Sequence, residues 1–257
     1  TYTQMLNSKG GIEADLTVTC VEKNKFRIVT GSGVRTHDKK HILNHLDKSI
    51  EFKDITDNIA CLGIFGPKSR DLVSEIFGKH FSNNDFKFGT GKNIIFKDIE
   101  MWFQRISYVG ELGWEIYIPI EKSKQIYELI VSVEKEFDLV HAGAHSMDIM
   151  RMEKGYLHWG HDISPAENPY EANIGFAVKL NKENNFIGKE YLKANGCTDE
   201  ELSEHIQAQS EKLEAQIDLA LIKLRCCFLF WLVVALSMCC IDHLVAELQI
   251  LQGTGSK

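Results

Sequence analysis

The chain predicts an α+β fold, with antiparallel sheets, packed helices and a long helix at its C-terminal end. Three observations carry this: strand-like runs joined by hairpin chemistry, amphipathic helices mixed among them, and period-two alternation within several of the runs. Tyr2 to Leu6, the turn Asn7-Ser8-Lys9-Gly10-Gly11 and Glu13 to Cys20 form the first hairpin, and Lys25 to Thr30 adds a third strand. Thr36-His37-Asp38 opens a helix to about Leu46, with Ile42, Leu43 and Leu46 on one face. Ile50 to Thr56 and Asn58 to Phe65 follow as strands, and Gly66-Pro67 starts a helix carrying Leu72, Val73 and Ile76. Residues 78–92 are a polar loop, and two strands, Asn93 to Ile99 and Met101 to Val109, come next. After the turn 110–113, Trp114 to Pro119 sends Trp114, Ile116 and Ile118 to one face and Glu115 and Tyr117 to the other. Glu121 to Phe137 is an amphipathic helix and a second helix reaches Glu153. Gly175 to Leu180 is a strand and Gly188 to Ala194 a short helix.

Composition narrows the function classes. The 257 residues are 44% hydrophobic and 25% charged, enough for one large core or two small ones. A net charge of -7 argues against duplex nucleic acid, which needs clustered Lys and Arg, and favours a small-molecule ligand. The seven cysteines include no Cys-x-x-Cys pair. His37, His41 and His45 share one helical stripe but lack a carboxylate at ligand spacing, so a solvated face is favoured and no metal site is assigned. Gly89-Thr90-Gly91-Lys92 lacks the full phosphate-loop spacing and is a turn. The N-terminus has no basic region followed by an apolar run, so it is not a signal peptide. It also lacks an initiator Met, as if cut from something longer.

Polar groups crowd into residues 144–188. Asp148, Arg151 and Glu153 interleave with Met147, Met150 and Met152 on a helix that ends near Gly155, ahead of Trp159-Gly160-His161-Asp162 and Glu171. Buried charges are costly unless paired, so packing alone explains this stretch poorly and a binding role is expected. Glu115 is either a carboxylate held into a cleft by a rigid strand or a solvent-facing residue of a half-buried one.

Six segments, in order, resemble the folate-binding aminomethyltransferase family of the glycine-cleavage T-protein, and most closely its version in dimethylglycine and sarcosine dehydrogenases. They are Tyr2-Thr3-Gln4-Met5-Leu6-Asn7 with 10–18, Gly66-Pro67-Lys68-Ser69-Arg70, residues 107–115, Arg151-Met152-Glu153-Lys154-Gly155, Trp159-Gly160-His161-Asp162-Ile163 and Phe186-Ile187-Gly188-Lys189. The resemblance covers roughly residues 1–195 and implies a tetrahydrofolate pocket. Asp15 is then the catalytic carboxylate near the folate N5 and N10 atoms, stabilising positive charge on an iminium-like donor. Glu115 would grip the pteridine through ring N–H groups, and Arg151 would meet the folate's anionic tail or a carboxylate that positions the pocket. Tyr108 and Trp159 would supply ring packing, with a core aromatic equally open for Tyr108. The implied reaction passes a carbon from a small methylated amine or aminomethyl donor to folate, giving 5,10-methylenetetrahydrofolate. A separate flavin domain would deliver the donor, since Gly31-Ser32-Gly33 lacks the third glycine of a dinucleotide fingerprint and no FAD site is assigned. Two alternatives stay open: a non-catalytic folate-fold module acting as a regulatory or tethered partner, and a folate-dependent demethylase of another donor. The expected location is cytoplasmic or the mitochondrial matrix.

The resemblance stops where the family's C-terminal barrel should begin, and its opening segment before Tyr2 is also missing, so the domain at 1–195 reads as incomplete at both ends. Residues 198–225 instead read as an amphipathic or coiled-coil-like helix suited to self-association. The uncharged run 226–241 spans about 24 Å as a helix, short of the usual ~30 Å. It is read as a membrane segment anchoring the domain, ahead of a buried core or dimer helix and of a gene-model artefact; a tail, 242–257, follows.

Overall fold

The structure is a computed structural model and describes residues 1–197 together with the backbone strands at 234–237 and 244–250. It divides into two units. The first holds Thr1, residues 16–157 and the two C-terminal strands, and the second holds residues 2–15 and 158–197.

The elements run β1 (Tyr2–Leu6), β2 (Ile12–Glu22), β3 (Lys25–Thr30), α1 (Arg35–His45), β4 (Ile50–Asp54), β5 (Ile59–Phe65), α2 (Ser69–Phe77), β6 (Gly91–Phe96), β7 (Ile99–Gln104), β8 (Gly113–Pro119), α3 (Ser123–Val131), α4 (Glu134–Phe137), β9 (Leu139–Ala142), α5 (Ala144–Glu153), α6 (Lys189–Ala194), β10 (Val234–Ser237) and β11 (Leu244–Ile250). A five-stranded sheet has the order β1-β2-β3-β11-β4, and a six-stranded sheet has the order β6-β7-β8-β5-β10-β9. The β2–β3, β3–β11, β11–β4, β6–β7, β7–β8, β8–β5 and β5–β10 ladders are antiparallel and β9–β10 is parallel, in keeping with the expected α+β class.

The six-stranded sheet carries the main core on one face. Leu62 and Ile64 of β5, Met101 and Phe103 of β7, and Trp114, Ile116 and Ile118 of β8 bury against Leu72 and Val73 of α2 and Ile126 and Ile130 of α3. Phe81 and Phe86 close it from the loop, with Phe81 meeting the Trp114 ring edge-on at 5.4 Å. β5 approaches β8 so closely that a Cβ on Gly113 would lie 2.2 Å from the Ile64 carbonyl oxygen. One oxygen, Leu112 O, then accepts from Gly66 N at 2.7 Å and from Ser69 Oγ at 2.9 Å, tying the start of α2 to the turn before β8.

Several elements depart from the sequence reading. The expected strand at 175–180 is a 3-10 turn, Gly175–Ala177, because Ala177 N and Val178 N bond locally to Ile174 O and Gly175 O. The helix expected over 121–137 breaks after α3, and Leu43, placed on the buried face of α1, is 48% exposed. The helix expected at 198–225 lies outside the described residues. Within the run 226–241, residues 234–237 form strand β10, with Ala235 in register with Phe65 of β5 and with Val140 of β9. Among the described residues no helix is long and apolar enough to cross a membrane. The expected transmembrane helix and membrane anchor at 226–241 are therefore corrected. An uncharged apolar run suits a strand flanked on both edges as well as it suits a helix, and here β5 and β9 pair with residues 234–237.

Candidate functional site

In the first unit the second face of the six-stranded sheet sets buried polar side chains beside a small apolar cluster of Ile55, Cys61 and Tyr117. Strand alternation puts Glu115 and Tyr117 on this face, with Gly63 and Gln104 in register with Glu115, and Cys61 and Trp102 in register with Tyr117. Glu115 is only 6% exposed, which decides between the two sequence alternatives against a solvent-facing role. Burial drives its carboxyl up to about 7, against a downward pull from the Tyr117 hydroxyl, which donates to Oε2 at 2.5 Å. Burial also pushes the Tyr117 hydroxyl and the Cys61 thiol well above their ordinary ranges, and the Glu115 charge adds to both. The Gln104 amide is engaged elsewhere: its Oε1 accepts from Trp102 Nε1 at 2.9 Å and its Nε2 donates to Gly89 O at 3.4 Å. Among the described residues, Tyr117 is the one hydrogen-bond partner of Glu115, so the second carboxylate oxygen retains its acceptor capacity. Beyond Tyr117 and Trp102, an open groove of about 800 Å³ runs to the β2–β3 hairpin at Cys20, Lys25 and Arg27.

Arg151 is a buried residue on the last turn of α5. Its Nε and Nη2 reach Asp148 Oδ1 at 2.8 and 2.7 Å, and Nη1 donates to Tyr156 O at 2.9 Å. Asp148 is thus the carboxylate that shares this arginine, and the pair fastens the chain after Gly155 back onto α5. Tyr108 reaches the same segment, donating from its hydroxyl to Leu157 O at 3.0 Å with its ring 6.5 Å from that of Tyr156. Arg151 and Tyr108 therefore converge on residues 156–157.

The second unit holds Asp15 and Trp159. Gln4 Nε2 donates to Asp15 Oδ1 at 3.2 Å from the neighbouring strand. Trp159 Nε1 donates to Ile12 O at 2.8 Å, and Ile12 N donates to Glu167 O at 3.0 Å, which binds the Trp-Gly-His-Asp loop to the start of β2. Asp162 holds that loop shut by accepting from His158 N at 2.9 Å. The Asn7-to-Gly11 turn has a matching logic. Asn7 Oδ1 accepts from Lys9 N and Gly11 N, and a Cβ on Gly11 would lie 1.9 Å from Pro165 O, so only glycine admits the Pro165 segment. Trp159 and Asp15 are both linked to the 12–15 stretch of β2. Elsewhere, His37 Nδ1 lies 2.9 Å from the buried Asp38 and His45 Nδ1 meets His41 O, so these rings turn to protein partners.

The GCVT N-terminal domain family matches residues 1–182. The chain belongs to that family. Mitochondrial dimethylglycine dehydrogenase of Homo sapiens is 37% identical over 192 residues, covering 74% of this chain and 22% of its own. Mitochondrial sarcosine dehydrogenase of Mus musculus is 32% identical over 214 residues, covering 77% of this chain and 23% of its own. The solved glycine cleavage system aminomethyltransferase T from Bartonella henselae shares the fold, with a TM-score of 0.61 over 75% of this chain and 51% of that one at 23% identity. The chain thus spans less than a quarter of the length of the dehydrogenases it matches. Tetrahydrofolate is the cofactor of the GCVT aminomethyltransferase family.

Within this GCVT-family chain, sequence reasoning missed Tyr117 and Asp148 as the groups that hold Glu115 and Arg151. A signal for each was present. Tyr117 follows Glu115 by two on a strand, and Asp148 precedes Arg151 by three on a helix, spacings that place each pair on a common face.

Proposed function

We propose that this chain binds tetrahydrofolate and serves one-carbon transfer from an N-methylated amine, giving 5,10-methylenetetrahydrofolate, as the folate domain of a dimethylglycine- or sarcosine-dehydrogenase-like system. The observation that carries this reading is Glu115, a buried carboxylate on a central strand with one oxygen committed to Tyr117 and the other able to accept. That acceptor fits a pteridine ring, whose adjacent N–H groups need an acceptor shielded from water. When bound, tetrahydrofolate supplies the two nitrogens that receive the carbon.

The chain's own residues do the rest. Glu115 orients the ring by accepting its N–H groups. Asp15, steadied by Gln4, is the fixed anion assigned to the one-carbon centre, where it stabilises the positive charge of an iminium-like donor. Arg151 is assigned to the folate's anionic side, its guanidinium held by Asp148 and the Tyr156 carbonyl so that little freedom is lost on binding. Tyr108 and Trp159 are assigned to ring packing, each already anchored through its polar atom.

The dehydrogenase relatives supply the donor class, since their names specify dimethylglycine and sarcosine, and their mitochondrial designation supports a matrix location. A flavin domain working with this chain would deliver the donor. Product analysis tests the whole: with a dimethylglycine-oxidising flavoprotein and tetrahydrofolate, adding the chain should divert the released carbon from formaldehyde to 5,10-methylenetetrahydrofolate. Undiminished formaldehyde in the presence of saturating tetrahydrofolate contradicts the proposal.

A further inference from the structure

We propose that Tyr117 is the positioning residue of Glu115: its hydroxyl commits one carboxylate oxygen inside the protein and leaves the other aimed for a ligand's N–H. The inference rests on Glu115 being the tetrahydrofolate contact proposed above. The two residues lie two apart on β8, so their side chains leave the same face of the sheet, and the hydroxyl-to-carboxylate distance is 2.5 Å. Both are buried, at 6% and 3% exposure, so water does not compete for the bond.

The tyrosine ring is itself fixed. Trp102 of β7 and Cys61 of β5 stand in register on either side of it, and the Arg27 guanidinium of β3 lies 5.7 Å from its centroid and 5.4 Å from that of Trp102. A hydroxyl at the end of a ring held by three neighbouring strands is a donor of fixed position. The titratable and charged groups around the pair among the described side chains are Cys61 and Arg27; Gln104 of β7 is neutral. None of these replaces the hydroxyl as a donor to Glu115 among the described residues.

One consequence separates positioning from packing. An ionised carboxylate only accepts hydrogen bonds, so a donor to Oε2 favours the form of Glu115 that can take a ring N–H at Oε1. Removing the hydroxyl should therefore move the pH dependence of binding, not merely weaken it.

The test is tetrahydrofolate affinity by tryptophan fluorescence from pH 6 to 8.5 in the wild type, Tyr117→Phe, Glu115→Gln and the double variant. Tyr117→Phe keeps the ring and should raise the midpoint by about one unit, weakening binding at pH 7 by up to about tenfold and recovering toward pH 8.5. Glu115→Gln should be weak and flat with pH, and the double variant should match it. A Tyr117→Phe profile that overlays the wild type, with Glu115→Gln impaired, overturns the inference alone. If Glu115→Gln binds as the wild type does, the folate reading of Glu115 fails instead. The Tyr117 link is then decided without ligand, by infrared titration of the carboxyl band that Glu115→Gln abolishes: a midpoint raised in Tyr117→Phe supports it and an unchanged midpoint overturns it.

Discussion

Glu115 stands where a carboxylate is expensive to ionise, and that has a measurable effect on the fold itself. Its carboxyl titrates at about 7 in the folded chain against an ordinary 4.5, with burial as the cause. A carboxyl raised in this way contributes stability fully below its unfolded pKa, and the contribution is lost as pH rises through the folded one. Between pH 5 and pH 8 this loss is roughly 2–3 kcal/mol. Urea denaturation of Glu115→Gln should lack that decline, so the variant gains on the wild type as pH rises. Parallel stability profiles for the two proteins would show that the burial of Glu115 is not felt as charge. The sequence made part of this legible: alternation in Trp114-Glu115-Ile116-Tyr117 separates the faces, but whether the polar face meets water depends on strands far away in the chain. For Arg151 the helix position was legible, and its commitment to the Tyr156 carbonyl was not, because that bond depends on how the chain folds back after Gly155.

At the level of elements, close approach is what the motif glycines provide. Gly113→Ala would place a methyl group 2.2 Å from Ile64 O, forcing β5 and β8 apart and disturbing the strand that carries Glu115. A loss of roughly 3 kcal/mol in denaturant midpoint analysis is expected. Gly155, by contrast, has φ +71 with open space around its Cβ direction, so Gly155→Ala should cost only about 1 kcal/mol of left-handed strain. Equal costs for the two would mean that packing between β5 and β8 is looser than this ladder. Strands such as β3 and β8 were readable because turn residues and alternation bound them. β9, four residues long, was missed because its partner lies far along the chain. The apolar run containing β10 was misread because continuous hydrophobicity does not distinguish a buried strand from a helix.

Across the whole molecule, the C-terminal strands matter to both sheets. β10 lies between β5 and β9, and β11 lies between β3 and β4, so a chain ended at residue 197 would leave four strand edges unpaired. Such edges template association, and size-exclusion chromatography should show the shortened chain self-associating and melting lower than the full one. A monodisperse product of unchanged melting temperature would mean that the two strands add nothing. Family membership was legible from six dispersed segments, and the structure gives physical reasons for several of them: Gly11 admits Pro165, Leu112 O gathers Gly66 and Ser69, and Trp159 bonds Ile12. The bonds that Asp15 takes from Gln4 and Trp159 gives to Ile12 were not legible, because strand and helix patterns describe each element's own faces only. The central claim, a tetrahydrofolate site built on Glu115, is tested most directly by the dissociation constant for tetrahydrofolate in the wild type and Glu115→Gln at pH 8. Saturable binding should weaken at least about tenfold in the variant, as expected when a buried charged acceptor is lost; equal affinity in the two proteins would show that Glu115 does not hold the ligand.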